Sequence, residues 1–408
     1  MARSSRRDRI LRVAREAFGY DELRPGQLEA IEAVLDGRDT LAILSTGAGK
    51  SAIYQIAGLL IDGATIVVSP LIALQRDQVE ALQEHAQHGS AGRTDGPAGE
   101  PARGLGAARL NSTIRRSERE EALAELAEDA LEFLFLAPEQ LSNQKLLDEL
   151  AVARPSLLVV DEAHCISEWG HDFRPEYLRL GAAAEALGDP TILALTATAA
   201  PPVREEIVER LRLADPAVIV RGFDRPNVRL SVDRFYDERP LRRALVERVV
   251  AAPKPGIVYA ATRKGAESIV EELMEAGVNA AAYHAGLRGA RREEVQEALM
   301  QDELDCVVAT TAFGMGVDKG NVRWVFHSAP ADSVDSFFQE LGRCGRDSEP
   351  AESVSSTARR TSGCGGSSPA QGRSARRSST RSPSCSRSPA GRWSRPSCST
   401  SPVSRSPS

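Results

Sequence analysis

Short apolar runs alternate with longer amphipathic stretches from about residue 21 to residue 350. The apolar runs read TLAIL, ATIVVSP, EFLFLAP, SLLVVDEAH, TILALTAT, GIVYAATR, DCVVATT and VRWVFH. Between them lie stretches such as EEALAELAEDALE and REEVQEALM, which have the periodicity of amphipathic helices. This alternation predicts βαβ units, in which helices connect neighbouring parallel strands.

The number of strands is too large for one sheet, and the pattern breaks near RLADPAVIVRGFDRPN. We therefore predict an α/β fold with two lobes of parallel sheet, at residues 21–212 and 213–350. A helical segment, residues 1–20, precedes them. The stretch HAQHGSAGRTDGPAGEPARGLG, residues 85–106, is rich in glycine and small residues and predicts a flexible surface insertion.

Composition excludes several classes of protein. No apolar run is long enough to span a membrane, and the basic N-terminus lacks the apolar core of a signal peptide. The six cysteines show neither paired nor metal-type spacing, so we expect neither a disulfide framework nor a zinc site. We expect a cytoplasmic protein with no membrane partner. Because residues 1–350 carry 41 basic and 56 acidic side chains, a nucleic-acid partner needs a local basic groove.

The stretch LAILSTGAGKSAIYQ has the order of a strand, a glycine-rich turn and a helix start. Gly47 and Gly49 allow backbone N–H groups to face phosphate oxygens. Lys50 supplies a positive charge for the β- and γ-phosphates, and Ser51 offers a hydroxyl to Mg²⁺. The general pattern has glycine where this chain has Leu44, so the alternative is a glycine-rich turn with a chance lysine. The strand before the turn and the helix after it favour a phosphate site.

An acidic pair, Asp161 and Glu162, follows the apolar run SLLVV directly. In phosphoryl transfer such an aspartate holds Mg²⁺, and the neighbouring glutamate orients and deprotonates the attacking water. A solvated acidic strand end is the alternative, and it is less favoured beside a phosphate loop. His164 is interpreted as a residue that couples the nucleotide to the rest of the site; the alternative is a core histidine with satisfied hydrogen bonds.

The stretch QELGRCGRD, residues 339–347, belongs to the second lobe and contains Arg343 and Arg346. On a helix these residues share a face, since they are three positions apart. Arginines from a second lobe can complete a site on the first and stabilise transition-state charge. An exposed basic face is the alternative.

The chain resembles the RecQ branch of the superfamily 2 helicases. The resemblance rests on AFGYDELRPGQLEAI, STGAGKS, DEAHCISEWGHDFRP, LALTATAAPPV, RGFDRPNV, YHAGL, VATTAFGMGVDK and QELGRCGRD, which follow in the family's order and spacing. It covers about residues 10–350, interrupted by the insertion. HCISEWGHDFRP is the most distinctive part. Two departures are mild, because Ala48 stands where glycine is usual and Cys344 where alanine is usual.

The resemblance implies two RecA-like lobes and an ATP site with Mg²⁺. Tyr20 is expected to stack on adenine, with Arg24 and Gln27 reading its edge. Arg346 is expected to be the arginine finger, with Arg343 beside it. The phosphate loop is expected to comprise Thr46, Gly47, Ala48, Gly49, Lys50 and Ser51. Mg²⁺ is expected on Ser51 and Asp161.

The resemblance also implies a DNA interface. The segment from Trp169 to Arg174 is expected to sense single-stranded DNA, with bases stacking on Trp169 or Phe173. His284, in YHAGL, is expected to contact DNA as well. The alternative for Trp169 and Phe173 is that they are core aromatics, although the polar neighbours in this segment favour exposure.

The expected function is an ATP-dependent DNA helicase that moves 3′ to 5′ along single-stranded DNA and unwinds partly duplex DNA. Two alternatives stay open. One is a related motor, either an RNA helicase or a translocase that does not unwind. The other is an inactive product of a decayed gene that still binds nucleotide or DNA.

Residues 351–408 differ in character, with 20 serines and 10 arginines against one acidic residue. This composition predicts a disordered tail. We interpret it as a frameshift product, because serine codons of the TCN type read one base earlier encode Phe, Leu, Ile or Val. One permitted shifted reading of SSTARRTS begins LFYRPEDL, which is close to the continuation expected of the family. The alternative is a genuine Ser/Arg-rich tail that binds nucleic acid.

Overall fold

The computed structural model describes residues 2–88, 106–111, 114–167, 173–222, 224–313 and 319–358. These residues form two α/β lobes, each built on a parallel sheet, and this confirms the predicted fold class. The insertion from residue 89 to 105, Trp169 and the tail from residue 359 lie outside the described residues. No helix among the described residues is long and apolar enough to cross a lipid bilayer.

The first lobe has a seven-stranded sheet in the order β3-β4-β2-β5-β6-β1-β7. Its strands are β1 (Thr40–Leu44), β2 (Thr65–Val68), β3 (Ala107–Leu110), β4 (Phe133–Leu136), β5 (Leu157–Val160), β6 (Thr191–Thr196) and β7 (Ala217–Arg221). Its helices are α1 (Ala2–Phe18), α2 (Gln27–Leu35), α3 (Lys50–Gly58), α4 (Ile72–His88), α5 (Arg116–Ala127), α6 (Gln144–Val152), α7 (Leu180–Ala186) and α8 (Pro201–Arg210). Short 3-10 helices cover Pro138–Ser142, Ala163–Ile166 and Pro175–Arg179.

The second lobe has a six-stranded sheet in the order β10-β11-β9-β12-β13-β8. Its strands are β8 (Val228–Phe235), β9 (Gly256–Tyr259), β10 (Ala280–Tyr283), β11 (Cys306–Ala309), β12 (Trp324–His327) and β13 (Ala351–Ala358). Its helices are α9 (Glu238–Ala251), α10 (Arg263–Glu275), α11 (Gly289–Met300) and α12 (Val334–Leu341).

Helices cover both faces of each sheet, which explains the continuous apolar runs. In β1, Leu41 and Ile43 join one core cluster, whereas Ala42 and Leu44 join the cluster on the opposite face. A strand that is buried on both faces needs apolar side chains at every position, so it reads as a run and not as an alternation. The apolar runs therefore predicted the strands well.

The boundary between the lobes differs from the prediction. β7 pairs with β1 in the first sheet, although the sequence places the boundary at residue 212. The first lobe's sheet thus extends to Arg221. The start of the insertion also moves, since residues 85–88 belong to α4. The pairing of β7 with β1 decides the first boundary, and the extent of α4 decides the second.

The largest correction concerns the start of the predicted tail. Ala351–Ala358 forms β13, which lies between β12 and β8 in the second sheet. The prediction of disorder is therefore wrong for these eight residues. Backbone pairing with two neighbours overrides the poor strand propensity of serine at this place.

The serines of β13 are unusual for an interior strand. Ser353 is 1% exposed, and its buried Oγ has no hydrogen-bond partner among the described residues. Ser356 is buried beside a narrow cleft lined by Phe235, Leu245 and Phe326. Interior parallel strands are normally rich in Val, Ile and Leu. Of these two serines only Ser356 falls within the proposed shifted segment, where the shifted reading puts phenylalanine, a residue type that suits an interior strand.

The Ser353 hydroxyl is expected to destabilise the second lobe. Replacing Ser353 by alanine should raise the free energy of unfolding by about 1 kcal/mol, because it removes a buried hydroxyl without a partner. Urea denaturation followed by circular dichroism measures the change. Ser355→Ala, two residues further along the strand at a less buried position, is the matched control and should have a smaller effect. A loss of stability in Ser353→Ala would show that the hydroxyl is satisfied.

Candidate active site

A cavity of about 470 Å³ lies between the two lobes at the carboxyl ends of the first lobe's strands. β1 and β5 are both neighbours of β6, so the turn after β1 and the carboxylates after β5 meet at one edge of the sheet. The lining residues from the first lobe include Tyr20, Arg24, Gln27, Thr46, Gly47, Gly49, Lys50, Ser51, Asp161 and Glu162. Those from the second lobe are Gly320, Gln339, Arg343, Arg346 and Asp347.

The turn after β1 has the backbone of a phosphate-binding loop. Gly47 has φ +80° and Gly49 has φ +70°, a region that L side chains rarely adopt. α3 begins at Lys50, so its free backbone N–H groups point toward the cavity. Lys50 Nζ donates to the carbonyl of Leu44 at 3.4 Å. Burial lowers the pKa of Lys50, and the carboxylates of Glu162 and Asp161 oppose this shift.

The residues predicted to read adenine stand beside this loop. Arg24 N–H donates to Gln27 Oε1 at 2.7 Å, and the Arg24 guanidinium donates to the Gly47 carbonyl. Gln27 Nε2 lies 3.0 Å from the Ala48 carbonyl and 2.8 Å from the Gly49 carbonyl. The ring of Tyr20, which is 38% exposed, stacks on Phe18 at the cavity edge. Gln27 and Arg24 therefore hold the loop itself.

The acidic pair occupies the end of β5 as predicted from its sequence position. Asp161 Oδ2 accepts from Ser69 Oγ at 3.4 Å, and Asp161 Oδ1 accepts from the Glu162 N–H at 3.0 Å. Glu162 has φ +48°, a left-handed backbone that is uncommon for glutamate and is typical of strained functional positions. Its Oε2 is buried and lies 3.4 Å from the Nδ1 atom of His164.

His164 links the acidic pair to the strand that lies between β5 and β1. Its Nδ1 lies 2.9 Å from Thr196 Oγ1, at the end of β6, and 3.4 Å from Glu162 Oε2. Thr196 Oγ1 in turn donates to the Thr198 carbonyl at 3.0 Å. The histidine is 3% exposed, so it lies behind the site and does not line it. This position is compatible with the predicted coupling role.

The two arginines of the second lobe reach the cavity from a turn and not from a helix. α12 starts with the side-chain cap of Ser333 and ends at Leu341, before Arg343. The expectation that Arg343 and Arg346 share a helical face is therefore wrong. Gly345, with φ +59°, lies between them and turns the chain. Both side chains nevertheless line the cavity, because the turn points toward the phosphate loop.

The lobes approach each other closely at the phosphate loop. A Cβ atom on Gly342 would lie 2.4 Å from Thr46 Cβ, and one on Gly47 would lie 3.4 Å from Arg346 Cγ. Arg343 is 5% exposed and lies near Tyr259, whose pKa burial raises to about 12 while Arg343 opposes the shift. Cationic groups of the second lobe thus stand against the turn that holds phosphate.

The described residues that were predicted to bind DNA differ in how exposed they are. Arg174 is partly buried, its N–H donates to the Cys165 carbonyl, and its guanidinium donates to the Pro70 carbonyl at 3.2 Å. Phe173 is partly exposed. The ring of His284 is 3% exposed and lies 3.2 Å from Glu267 Oε1. A contact between that ring and DNA stays a prediction that this buried position does not favour.

Hard oxygen ligands are what Mg²⁺ prefers, and the cavity offers them. Asp161 supplies a carboxylate, Ser51 supplies a hydroxyl, and the Glu162 carboxylate lines the same cavity. These residues fit the ion. Among the described residues no group of three or more His, Cys, Asp or Glu side chains is arranged to hold a metal by itself.

Sequence profiles and relatives agree with this geometry. The DEAD/DEAH box helicase family matches residues 24–207, and the helicase conserved C-terminal domain matches residues 241–348. The chain is 36% identical over 357 residues to ATP-dependent DNA helicase RecQ of Synechocystis sp., covering 85% of this chain and 70% of that one. The chain belongs to the RecQ helicase family.

Other RecQ relatives are longer. ATP-dependent DNA helicase RecQ of Haemophilus influenzae is 40% identical over 344 residues, which cover 84% of this chain and 52% of that protein. The chain therefore spans about half the length of that relative. The resemblance to the RecQ branch is confirmed by these relatives, and the helicase motifs of both lobes lie inside the matched regions.

Solved structures share the fold. The DUF1998 helicase MrfA, solved bound to DNA, has a TM-score of 0.69 at 18% identity and covers 86% of this chain and 51% of that one. Mycobacterium smegmatis helicase Lhr, solved with ssDNA and AMP-PNP, has a TM-score of 0.64 at 24% identity and covers 84% and 47%. At these identities the likeness concerns the fold alone.

Sequence reasoning did not assign several residues that the structure places at the site. Glu22, Gln339 and Asp347 line the cavity. Arg225 contacts both the phosphate loop and the arginine-bearing turn. The motif RGFDRPNV contains Arg225 and was a signal for it, but nothing in the sequence shows which atoms the side chain reaches.

Gly342 is expected to be required for closure of the cavity. Its φ is −58°, so alanine is locally allowed, but the added Cβ would overlap Thr46 of the other lobe. Gly342→Ala should lower kcat for nucleotide hydrolysis about tenfold, because misplacing the arginines weakens transition-state stabilisation. Gly289→Ala, with nothing near its Cβ, is the control. An unchanged kcat in Gly342→Ala would mean that the lobes do not need this contact.

The Asp161 carboxyl is expected to make metal-free stability depend on pH. Burial and the Glu162 charge raise its pKa from 3.8 to about 7, and Lys50 opposes the shift. The native state therefore binds more protons than the unfolded chain between about pH 4 and 7, and stability falls as pH rises through that window. Asp161→Asn should stabilise the protein more at pH 8 than at pH 5, by about 2 kcal/mol.

Urea titrations in EDTA measure this difference. The exposed carboxylate of Asp62 provides the matched control, Asp62→Asn, which should show no comparable pH-dependent gain. Equal stabilisation by Asp161→Asn at both pH values would contradict the shift.

Proposed function

We propose that this chain is an ATP-dependent DNA motor that hydrolyses ATP between its lobes and moves 3′ to 5′ along single-stranded DNA. One observation carries the proposal. The phosphate loop and the acidic pair of the first lobe share one cavity with the Arg343 and Arg346 side chains of the second. Phosphoryl transfer needs this combination of positioned charges, because little other chemistry is left for the protein to perform.

The residues divide the work of hydrolysis. The backbone N–H groups at the start of α3 and the ammonium of Lys50 hold the phosphates. Glu162 accepts a hydrogen bond from the attacking water and takes its proton as the water bonds to the γ-phosphorus. The bond to the β–γ bridging oxygen breaks, and ADP and phosphate result. Arg346 stabilises the charge that develops on the transferred group. Mg²⁺, when bound by Ser51 and Asp161, neutralises phosphate charge.

Adenine is proposed to stack on Tyr20, with Arg24 and Gln27 at its edge. In the structure Gln27 engages the loop carbonyls, so base recognition and loop geometry share one side chain.

DNA is proposed as the nucleic acid along which the protein moves, because the chain belongs to the RecQ family and its relatives are named DNA helicases. The loop from Trp169 to Arg174 is proposed to stack on bases. Arg174, at its described end, is bonded to Cys165 in the segment after Glu162 and to Pro70 in the segment after β2. Movement of the loop can therefore reach Glu162 through a few residues. Such a motor acts on the chromosome in recombination and repair, so we place it in the cytoplasm with the nucleoid.

Duplex unwinding is the finer part of the proposal. The alternative is a DNA-stimulated translocase that does not unwind. A partial duplex with a 3′ overhang separates the two, because only a helicase releases the paired strand.

Lys50→Ala tests the site. The variant should lose ATPase activity, because the γ-phosphate loses its cation, while single-stranded DNA binding changes little. A steady-state phosphate-release assay with and without a DNA oligonucleotide measures the first, and fluorescence anisotropy measures the second. Lys145→Ala, an exposed lysine on α6, is the control. Full ATPase activity in Lys50→Ala would contradict the assignment of the phosphate site. Stronger stimulation of the parent chain by RNA than by DNA would contradict the proposal that DNA is the nucleic-acid partner.

A further inference from the structure

Arg225 lies in the connection between the lobes and touches both of them. β7 ends at Arg221 in the first sheet, and β8 begins at Val228 in the second. The Arg225 guanidinium donates to the Thr46 carbonyl in the phosphate loop at 3.2 Å. It also donates to the carbonyls of Cys344 and Gly345 at 2.8 and 2.9 Å. A single side chain therefore joins the linker, the phosphate loop and the arginine-bearing turn.

Asn227 holds the same turn from the same linker. Its Nδ2 donates to the carbonyls of Gly345 and Glu349 at 2.8 and 2.9 Å. A Cβ on Gly345 would lie 2.6 Å from this amide, so the turn fits the linker closely. Arg346 follows Gly345 directly and packs against Gly47. The linker thus braces the backbone that aims Arg346 at the phosphates.

The three Arg225 bonds are divided unequally between the lobes. Two hold the turn of the second lobe, and one crosses to Thr46 in the first. Separation of the lobes would break the crossing bond and leave the other two intact. Arg225 is not among the described residues that line the nucleotide cavity. It lines the small cleft behind that cavity, together with Thr198 and Gly342.

We propose that Arg225 is a positioning residue that sets Arg346 against the phosphate loop each time the cleft closes. The inference rests on the proposed ATP hydrolysis. Arg225 makes hydrolysis depend on the position of the linker, because the turn and the loop are aligned only when all three carbonyls share one guanidinium. A guanidinium can satisfy three carbonyls at once through its fixed fork of donors, whereas the compact ammonium of lysine cannot reach them together.

A positioning role for Arg225 predicts different effects on nucleotide binding and on catalysis. A residue that only aligns Arg346 should affect the transition state and spare ground-state binding. A residue that contacted phosphate directly would instead change the affinity for ADP and ATP. A residue that only stabilised the fold would lower the melting temperature and leave the kinetics of the folded fraction unchanged.

The experiment compares Arg225→Ala and Arg225→Lys with the full-length parent chain. Arg229→Ala removes an equal charge from an exposed position on β8 and is the matched control. DNA-stimulated ATPase assays yield kcat and KM for ATP. Fluorescence titrations give the affinity for ADP alone and for ADP with aluminium fluoride, a mimic of the transferred phosphoryl group in flight. Thermal melting reports the folded fraction.

Arg225→Ala should lower kcat about tenfold or more and weaken ADP–aluminium fluoride binding by a similar factor. KM for ATP and the affinity for ADP should stay within about twofold. Arg225→Lys should remain strongly impaired, and it answers the question if Arg225→Ala does not fold. Arg229→Ala should resemble the parent.

Three results would overturn the inference. They are a kcat within about twofold of the parent, a loss of ADP affinity equal to that for ADP–aluminium fluoride, and full recovery in Arg225→Lys. Absence of ATPase activity in the parent chain itself would defeat the proposed function, which is a different outcome. An active parent with an unaffected Arg225→Ala defeats the positioning role alone.

Discussion

The contact between the phosphate loop and the arginine-bearing turn is the interaction on which the rest of the site depends. Neither lobe alone holds both the cation of Lys50 and the guanidinium of Arg346, and phosphoryl transfer needs charge on both sides of the γ-phosphate. Gly342 makes the approach possible because it presents no side chain to Thr46. The linker contributes Arg225, which is bonded to both partners of this contact. The site is therefore complete only where the two lobes meet.

The site is kept at some expense of stability. Asp161 is buried beside Glu162, which raises its pKa, and Glu162 itself adopts a left-handed backbone. Both features disfavour the folded state, and they persist only because the surrounding sheet imposes them. β5 and its two parallel neighbours provide that constraint, since they are buried on both faces. His164 and Thr196 extend the same rigid support behind the carboxylates. Two carboxylates held this close together are suited to binding a cation.

The second lobe shows a different conflict. β13 fills an interior position of the sheet with the sequence AESVSSTA, and it buries Ser353 without a partner for its hydroxyl. Its first half fits the lobe, because Ala351 and Val354 join the cores on either side. From residue 355 the composition changes to the Ser/Arg-rich type. The frameshift hypothesis would account for this change, because its shifted reading puts phenylalanine where Ser356 stands.

The sequence by itself determined the α/β class, the two lobes, the phosphate loop and the acidic pair. These follow from local chemistry. A strand buried on both faces must be apolar, and glycines and charges at the end of such a strand are typical of phosphate and metal binding. The tertiary structure alone decided that β7 joins the first sheet and that β13 is an ordered strand. It also decided that the arginines lie on a turn, that the His284 ring is buried, and that Arg225 spans the lobes. Those outcomes depend on which distant segments pair and pack, and no local pattern encodes the partner of a backbone carbonyl.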